Sequence, residues 1–444
     1  MSLEPPESVG KLQRVLRVKA KESPGYRFYA LYDKVYRRDV LAHAYERCRR
    51  NRGAPGVDGQ TFDDIEAYGR ERWLDERVQE LREKTYRPDA VKRTWIPKGD
   101  GKLRPLGIPT IRDRVVQMAV VVVIDPIFDE DMPPEQHAYR MDHSAHQAVR
   151  DVQAQLDLGR TEVVDADLSG YFDSIPHHEL MQSVARRISD GRLLHLVKMW
   201  LEAAVEETDE SGRKVRTTRA KDEGRGTPQG GVLSPLLANL YMRRFVLGWK
   251  VCGHQQRLDA RIVNYADDFV ICCPPGRATE AMTAMRSMMG KLRLTVNEKK
   301  TRQCRVPDET FTFLGFTFGS QVSWKTGRAY VAPAPAEKKI HAFCDKLGVE
   351  TRSQTTGRSE TEQVARLNRM LRGWANYFRL GYVTGAWKVV QQHACRRLRR
   401  WLRRKHGQAG GVSGYPDLCL YEKYGLVNLV RTVPRLPLWA KTRY

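Results

Sequence analysis

No stretch of this 444-residue chain could cross a membrane as a helix. The longest aliphatic run, Ala119 to Ile124, falls far short of the ~20 residues a spanning helix needs. The opening MSLEPPESVGK has no apolar core of a secretory signal. The eight cysteines show no CxxC pairing and no regular spacing, which argues against a disulfide framework and for a reducing, cytoplasmic setting. Internal repeats and low-complexity tracts are absent too. Acidic residues are outnumbered: 53 Asp and Glu face 76 Lys and Arg, for a net charge of +23. Such an excess suits a polyanionic partner, nucleic acid before a membrane surface. From Lys338 onward 22 basic residues stand against 6 acidic ones, so most of the excess lies in the last quarter.

Against this scarcity of acid, two adjacent carboxylates stand out in Tyr265-Ala266-Asp267-Asp268. Short β-branched stretches flank them, Arg261 to Asn264 and Phe269 to Cys272, so the pair reads as the bend of a β-hairpin. An Asp-rich turn is the ordinary explanation of such a pair. A third carboxylate changes the weighting. Thr161 to Ala166 reads as a buried strand, and Asp167 stands at its end. Three carboxylates from a strand and a neighbouring hairpin suit hard divalent cations, which Mg²⁺-dependent phosphoryl transfer uses in pairs. Asp165 and Asp173 are nearby alternatives. The histidine pairs His143/His146 and His177/His178 read as structural, with Ser144 as an N-cap, so no zinc site is expected.

Several blocks, taken in order, resemble the reverse transcriptases encoded by bacterial group II introns. YRFYALYDKVYRRDVLAHAY and RGAPGVDGQTF are similar to that family's N-terminal extension, and WIPKGDGKLRPLGIPTIRDRVVQ to its fingers. DADLSGYFDSI and NYADDFVI resemble its palm; GTPQGGVLSPLLANLY, LTVNEKKT, FTFLGFTF and the maturase-like LNRMLRGWANYF follow. One departure is Tyr139-Arg140-Met141-Asp142-His143, where the family usually has Phe-Arg-Pro-Gly-Arg.

The resemblance implies an α+β right-hand polymerase followed by a helical thumb and maturase domain. Expected divisions are 1–160 for the extension and fingers, 161–325 for the palm, 326–408 for the thumb and maturase unit, and 409–444 for a basic tail. It implies that Asp167 and Asp267 bind two Mg²⁺ ions directly, with Asp268 in support. Phe172 would occupy the space of a ribose 2′-hydroxyl and so favour deoxynucleotides. Lys98 and Arg104 would hold the triphosphate, Gln229 would flank the incoming base pair, and Lys300, or else Lys299, would approach the phosphates. Arg372, Arg379, Arg396, Arg397, Arg399, Arg400, Arg403 and Arg404 would face RNA. Leu367, Leu371, Trp374 and Phe378 recur as a buried stripe instead. The implied partners are intron RNA, a DNA target or primer, and deoxynucleoside triphosphates. The implied function is splicing assistance and reverse transcription during mobility. A host task in repair or phage defence, or an RNA-binding maturase with an idle polymerase core, are the alternatives. Residues 415–441 hold one cysteine and no histidine, so the Cys- and His-based nuclease domain of many relatives is not expected there.

Overall fold

A computed structural model describes residues 3–97, 103–209, 211–322, 327–408 and 414–432. The front of the chain is helical. Thr61 opens the helix Phe62–Tyr68 through a reciprocal capping box with Asp64. The helix Ile111–Asp129 is buried along nearly its whole length, against the helices Glu7–Glu22 and Arg38–Arg50. Its Val-rich run is therefore the spine of a core.

Eleven strands among the described residues form three sheets: β1 Val91–Pro97, β2 Leu103–Ile108, β3 Glu162–Ala166, β4 Val205–Thr208, β5 Lys214–Thr217, β6 Arg261–Tyr265, β7 Asp268–Cys273, β8 Arg302–Arg305, β9 Phe311–Phe313, β10 Phe316–Val322 and β11 Ala329–Pro335. The fingers sheet has the order β2-β1-β4-β5, the palm sheet β6-β7-β3-β8, and the third β11-β10-β9. Palm pairing is antiparallel throughout, with Val164 opposite Ile271 and Asp165 opposite Val270.

Both faces of the palm sheet are covered, so its strands read as continuous apolar runs. Val164, Ala166, Phe269, Ile271 and Cys273 face one core, shared with the front helices. Val163, Val270, Cys272 and Cys304 face a second core, shared with the rear helices. The period-two alternation of a strand makes this division.

The rear unit packs the helices Glu337–Glu350, Glu360–Tyr377 and Thr384–Lys405 through Leu367, Leu371, Trp374, Leu398 and Trp401, all buried. A boundary at 325/326 does not match the strand pairing. β10 and β11 form one hairpin from Phe316↔Pro335 to Val322↔Ala329, and the helical unit starts only at Glu337. Residues 414–432 dock on this bundle. Leu420, Leu426 and Leu429 are buried there, and Asn368 clamps Gly425 O and Val427 N–H, each at 2.8 Å. No described helix is long and apolar enough to cross a membrane.

Candidate active site

Two of the three candidate acids, Asp167 and Asp268, converge by strand parity. In β3 and the residue after it, 163, 165 and 167 share a face; in β7, 268, 270 and 272 share the facing set. Asp165, Asp167 and Asp268 therefore crowd one side of the palm sheet, with Asp267 in the turn beside them. Burial is the main reason that Asp268 is pushed up to about 7, and the neighbouring charges of Asp165, Asp267 and Asp167 add to it. Asp165 is pushed up to about 6, again chiefly by burial, with Arg302 3.6 Å away holding it down. Carboxylates this crowded repel until a cation or proton relieves them.

The turn itself is held by a residue that motif reading passes over. Ala266 adopts φ +61, a left-handed conformation that costs a non-glycine residue about 1–3 kcal/mol. Fully buried Asn264 spans the turn, donating from Nδ2 to Ala266 O at 2.8 Å and Asp268 O at 3.4 Å. Asp268 already belongs to β7, paired with Tyr265, so the bend proper is Ala266-Asp267. Tyr139, in the segment that departs from the family, stands near enough for Asp267 to help raise its phenol above the usual range, burial being the larger cause.

Fingers and palm meet at Gln229. Its Oε1 accepts from Arg104 Nε at 2.9 Å, its Nε2 donates to Asp173 at 3.4 Å, and its carbonyl accepts the Gly107 N–H at 2.5 Å. At Gly230, φ is +109 and an added Cβ would lie 2.4 Å from Gly107 O, so glycine permits this approach of two backbones. Gln117 supports the loop from the long helix, its Oε1 accepting the N–H groups of Val232 and Leu233. Phe172 is buried edge-on to Tyr171, and its carbonyl accepts the Thr227 N–H at 2.7 Å. A cleft of about 550 Å³ lined by Arg93, Trp95, Asp173, Arg219 and Thr227 opens beside this junction.

A model of the reverse transcriptase family (RNA-dependent DNA polymerase) matches residues 96–318, half of the chain. This chain is a reverse transcriptase. A second model, the group II intron maturase-specific domain, matches residues 340–414. The chain is 33% identical over 372 residues to Protein YkfC of Escherichia coli K12, covering 74% of this chain and 93% of that protein. It is 32% identical over 228 residues to the group II intron-encoded protein LtrA of Lactococcus lactis subsp. cremoris, covering 50% of this chain but only 36% of LtrA. A solved partial Cas6-RT-Cas1–Cas2 complex overlaps 59% of this chain and 41% of its own at 20% identity and a TM-score of 0.35, too loosely to carry an argument. The protein is thus an RNA-directed DNA polymerase joined to a maturase domain, with the mixed fold of fingers, palm and helical thumb.

Reverse transcriptases work with divalent metal ions, and the donor set fits: only hard carboxylate oxygens converge here. Among the described residues no group of three or more His, Cys, Asp or Glu side chains closes tightly enough to cage a metal alone. Lys300 ion-pairs with Asp167 at 3.1 Å, while Lys98 lies outside the described residues. Two of the four histidines meet backbone carbonyls: His146 with Tyr377 O at 2.6 Å and His177 with Gly226 O at 2.7 Å.

The eight rear arginines divide. Arg372, Arg379, Arg396, Arg400 and Arg404 are exposed. Arg397 turns inward, bonding Thr351 Oγ1, Gly348 O and Thr351 O at 2.7–3.1 Å. Arg399 bonds Tyr415 O at 2.7 Å and pairs with Asp417, and Arg403 is half-buried. Arg397 and Arg399 thus hold the bundle together, and the open basic surface is carried by the others.

Proposed function

We propose that this reverse transcriptase copies RNA into DNA on Asp167 and Asp267, with Asp268 in support, and serves a group II intron whose RNA it binds. The observation that carries the reading is the convergence of Asp165, Asp167 and Asp268 on one sheet face with Asp267 at its edge. Two Mg²⁺ ions bound there would stabilise the attacking and departing oxygens of an in-line displacement. The protein's own part is placement. Arg104 meets a triphosphate while hydrogen-bonded to Gln229, Lys300 supplies a mobile cation beside Asp167, and Gln229 lies against the forming base pair. The buried Phe172 ring excludes a 2′-hydroxyl, which would also be desolvated and unpaired there. Deoxynucleoside triphosphates, a DNA primer and an RNA template are the matching substrates.

The exposed arginines of the rear bundle would neutralise phosphates of structured RNA, and their density repels itself without such a partner. The protein then binds its intron, assists its splicing and reverse-transcribes it at a DNA target. The test combines both activities on one intron RNA. Asp267→Asn should stop DNA synthesis and leave protein-assisted splicing intact. Failure of the wild-type protein to bind or splice any group II intron RNA, with polymerisation intact, would instead favour a host-adapted polymerase.

A further inference from the structure

Residues 295–301 are strapped along the exit of the catalytic strand. Ser169 N–H donates to Thr295 O at 2.9 Å, Leu168 bridges Val296, and Asn297 N–H donates to Asp167 O at 2.8 Å. In return Asp167 N–H donates to Thr301 Oγ1 at 3.3 Å. The backbone of Asp167 is therefore fixed before its side chain is considered.

The side chain is then held unevenly. Asn297 Nδ2 donates to Oδ2 of Asp167 at 2.9 Å, and Lys300 Nζ lies 3.1 Å from the same oxygen. Neither donor is bonded to Oδ1. The two donors differ in kind. Lys300 is long, charged and 64% exposed at its side chain, free to leave when a substrate or cation arrives. Asn297 is short and neutral and sits on the strapped backbone, so it cannot follow. A carboxylate otherwise rotates to present either oxygen, and partners of this kind orient metal ligands in many proteins.

We propose that Asn297 is a positioning residue that tethers Oδ2 of Asp167 and so presents Oδ1 to the divalent metal. This rests on reading Asp167 as a metal ligand, and the experiment separates the two. Asn297→Leu and Asn297→Ala both remove the side-chain donor and add no charge beside Asp167. The backbone hydrogen bond from residue 297 survives in each. Mn²⁺ binding to the purified full-length protein, without substrates, would be measured by the electron paramagnetic resonance of the free ion, alongside thermal melting.

Both variants should bind Mn²⁺ about tenfold more weakly, the lower end of what loss of such a partner costs, while melting near the wild type. The Mg²⁺ concentration for half-maximal synthesis should rise by the same factor. Undiminished Mn²⁺ affinity in Asp167→Asn would overturn the ligand reading itself. Affinity lost there but retained in both Asn297 variants would overturn only the positioning role. Should the leucine variant melt early, the smaller Asn297→Ala carries the same measurement.

Discussion

Substituting Gly230 by alanine tests the fingers–palm junction at one atom. The new Cβ would stand 2.4 Å from Gly107 O and 2.9 Å from Leu106 Cδ1, and the residue would keep φ +109. A backbone oxygen cannot rotate away, so β2 must retreat from the loop. Strain in that region costs about 1–3 kcal/mol, and loss of the Gln229 O to Gly107 N–H bond about 0.5–1.5 kcal/mol more. The sum, about 1.5–4.5 kcal/mol, corresponds to ~10- to 2,000-fold. Retreat of β2 also draws Arg104 off Gln229, so the loss should appear in kcat/KM for the deoxynucleoside triphosphate. Single-nucleotide extension of a DNA primer on an RNA template, with a melting curve, measures both parts. Gly231→Ala is the internal comparison: its Cβ would meet the Ser234 hydroxyl at 2.8 Å, and that side chain can turn aside, so the effect should be smaller. A Gly230→Ala enzyme with kcat/KM within twofold of wild type and an unchanged melting temperature would refute the reasoning.

Phe172→Ala should raise ribonucleotide use relative to deoxynucleotides about tenfold, equivalent to ~1.4 kcal/mol, in a competition assay; an unchanged ratio in an active variant would mark the ring as packing alone. Asp113, buried and bonded by the Tyr86 hydroxyl at 2.6 Å, is pushed up to about 6 chiefly by burial. An unfolded Asp titrates near 3.9, so the folded state binds the proton more tightly and stability falls as pH rises from about 4 through 6. Asp113→Asn should remove a contribution on the order of 2–3 kcal/mol from that decline in denaturant titrations, and identical pH profiles would count against it. Replacing Arg396, Arg400 and Arg404 by glutamine should flatten the salt dependence of intron RNA binding by ~2–3 in logarithmic slope. Arg397→Ala should instead lower stability by about 2–3 kcal/mol, since it breaks charge-assisted hydrogen bonds, and a steep loss of RNA affinity with normal stability would contradict that division.

Much of the site was legible because its residues lie in short ordered blocks. Asp167 followed a readable strand, and Asp267 and Asp268 marked a readable hairpin. Asp165, one of the two nearby alternatives, lies by strand parity on the face of Asp167. Asn264 and Asn297 lie inside two of those blocks, NYADDFVI and LTVNEKKT, but nothing in the blocks gives either a task. Their worth depends on where neighbouring carbonyls and carboxylates fall after folding, and an Asn in a loop or strand edge looks the same without that path. The arginines show a related limit. Helical spacing keeps 397 and 399 off the buried Leu398, Trp401 and Leu402 of their own helix, but Gly348, Thr351, Tyr415 and Asp417, distant in sequence, close over them. Near residue 325 the strand pairing is likewise invisible in local composition: β10 and β11, on either side of it, form one hairpin.

The proposed DNA synthesis depends above all on the carboxylates at the palm hairpin. Asp267→Asn keeps the shape of the turn and removes one anionic ligand. Extension of a DNA primer by one deoxynucleotide on an RNA template with Mg²⁺, compared at equal concentrations of folded wild-type and variant protein, is the measurement. Loss of extension to background in the variant is the predicted result; extension at a rate near wild type would contradict the account.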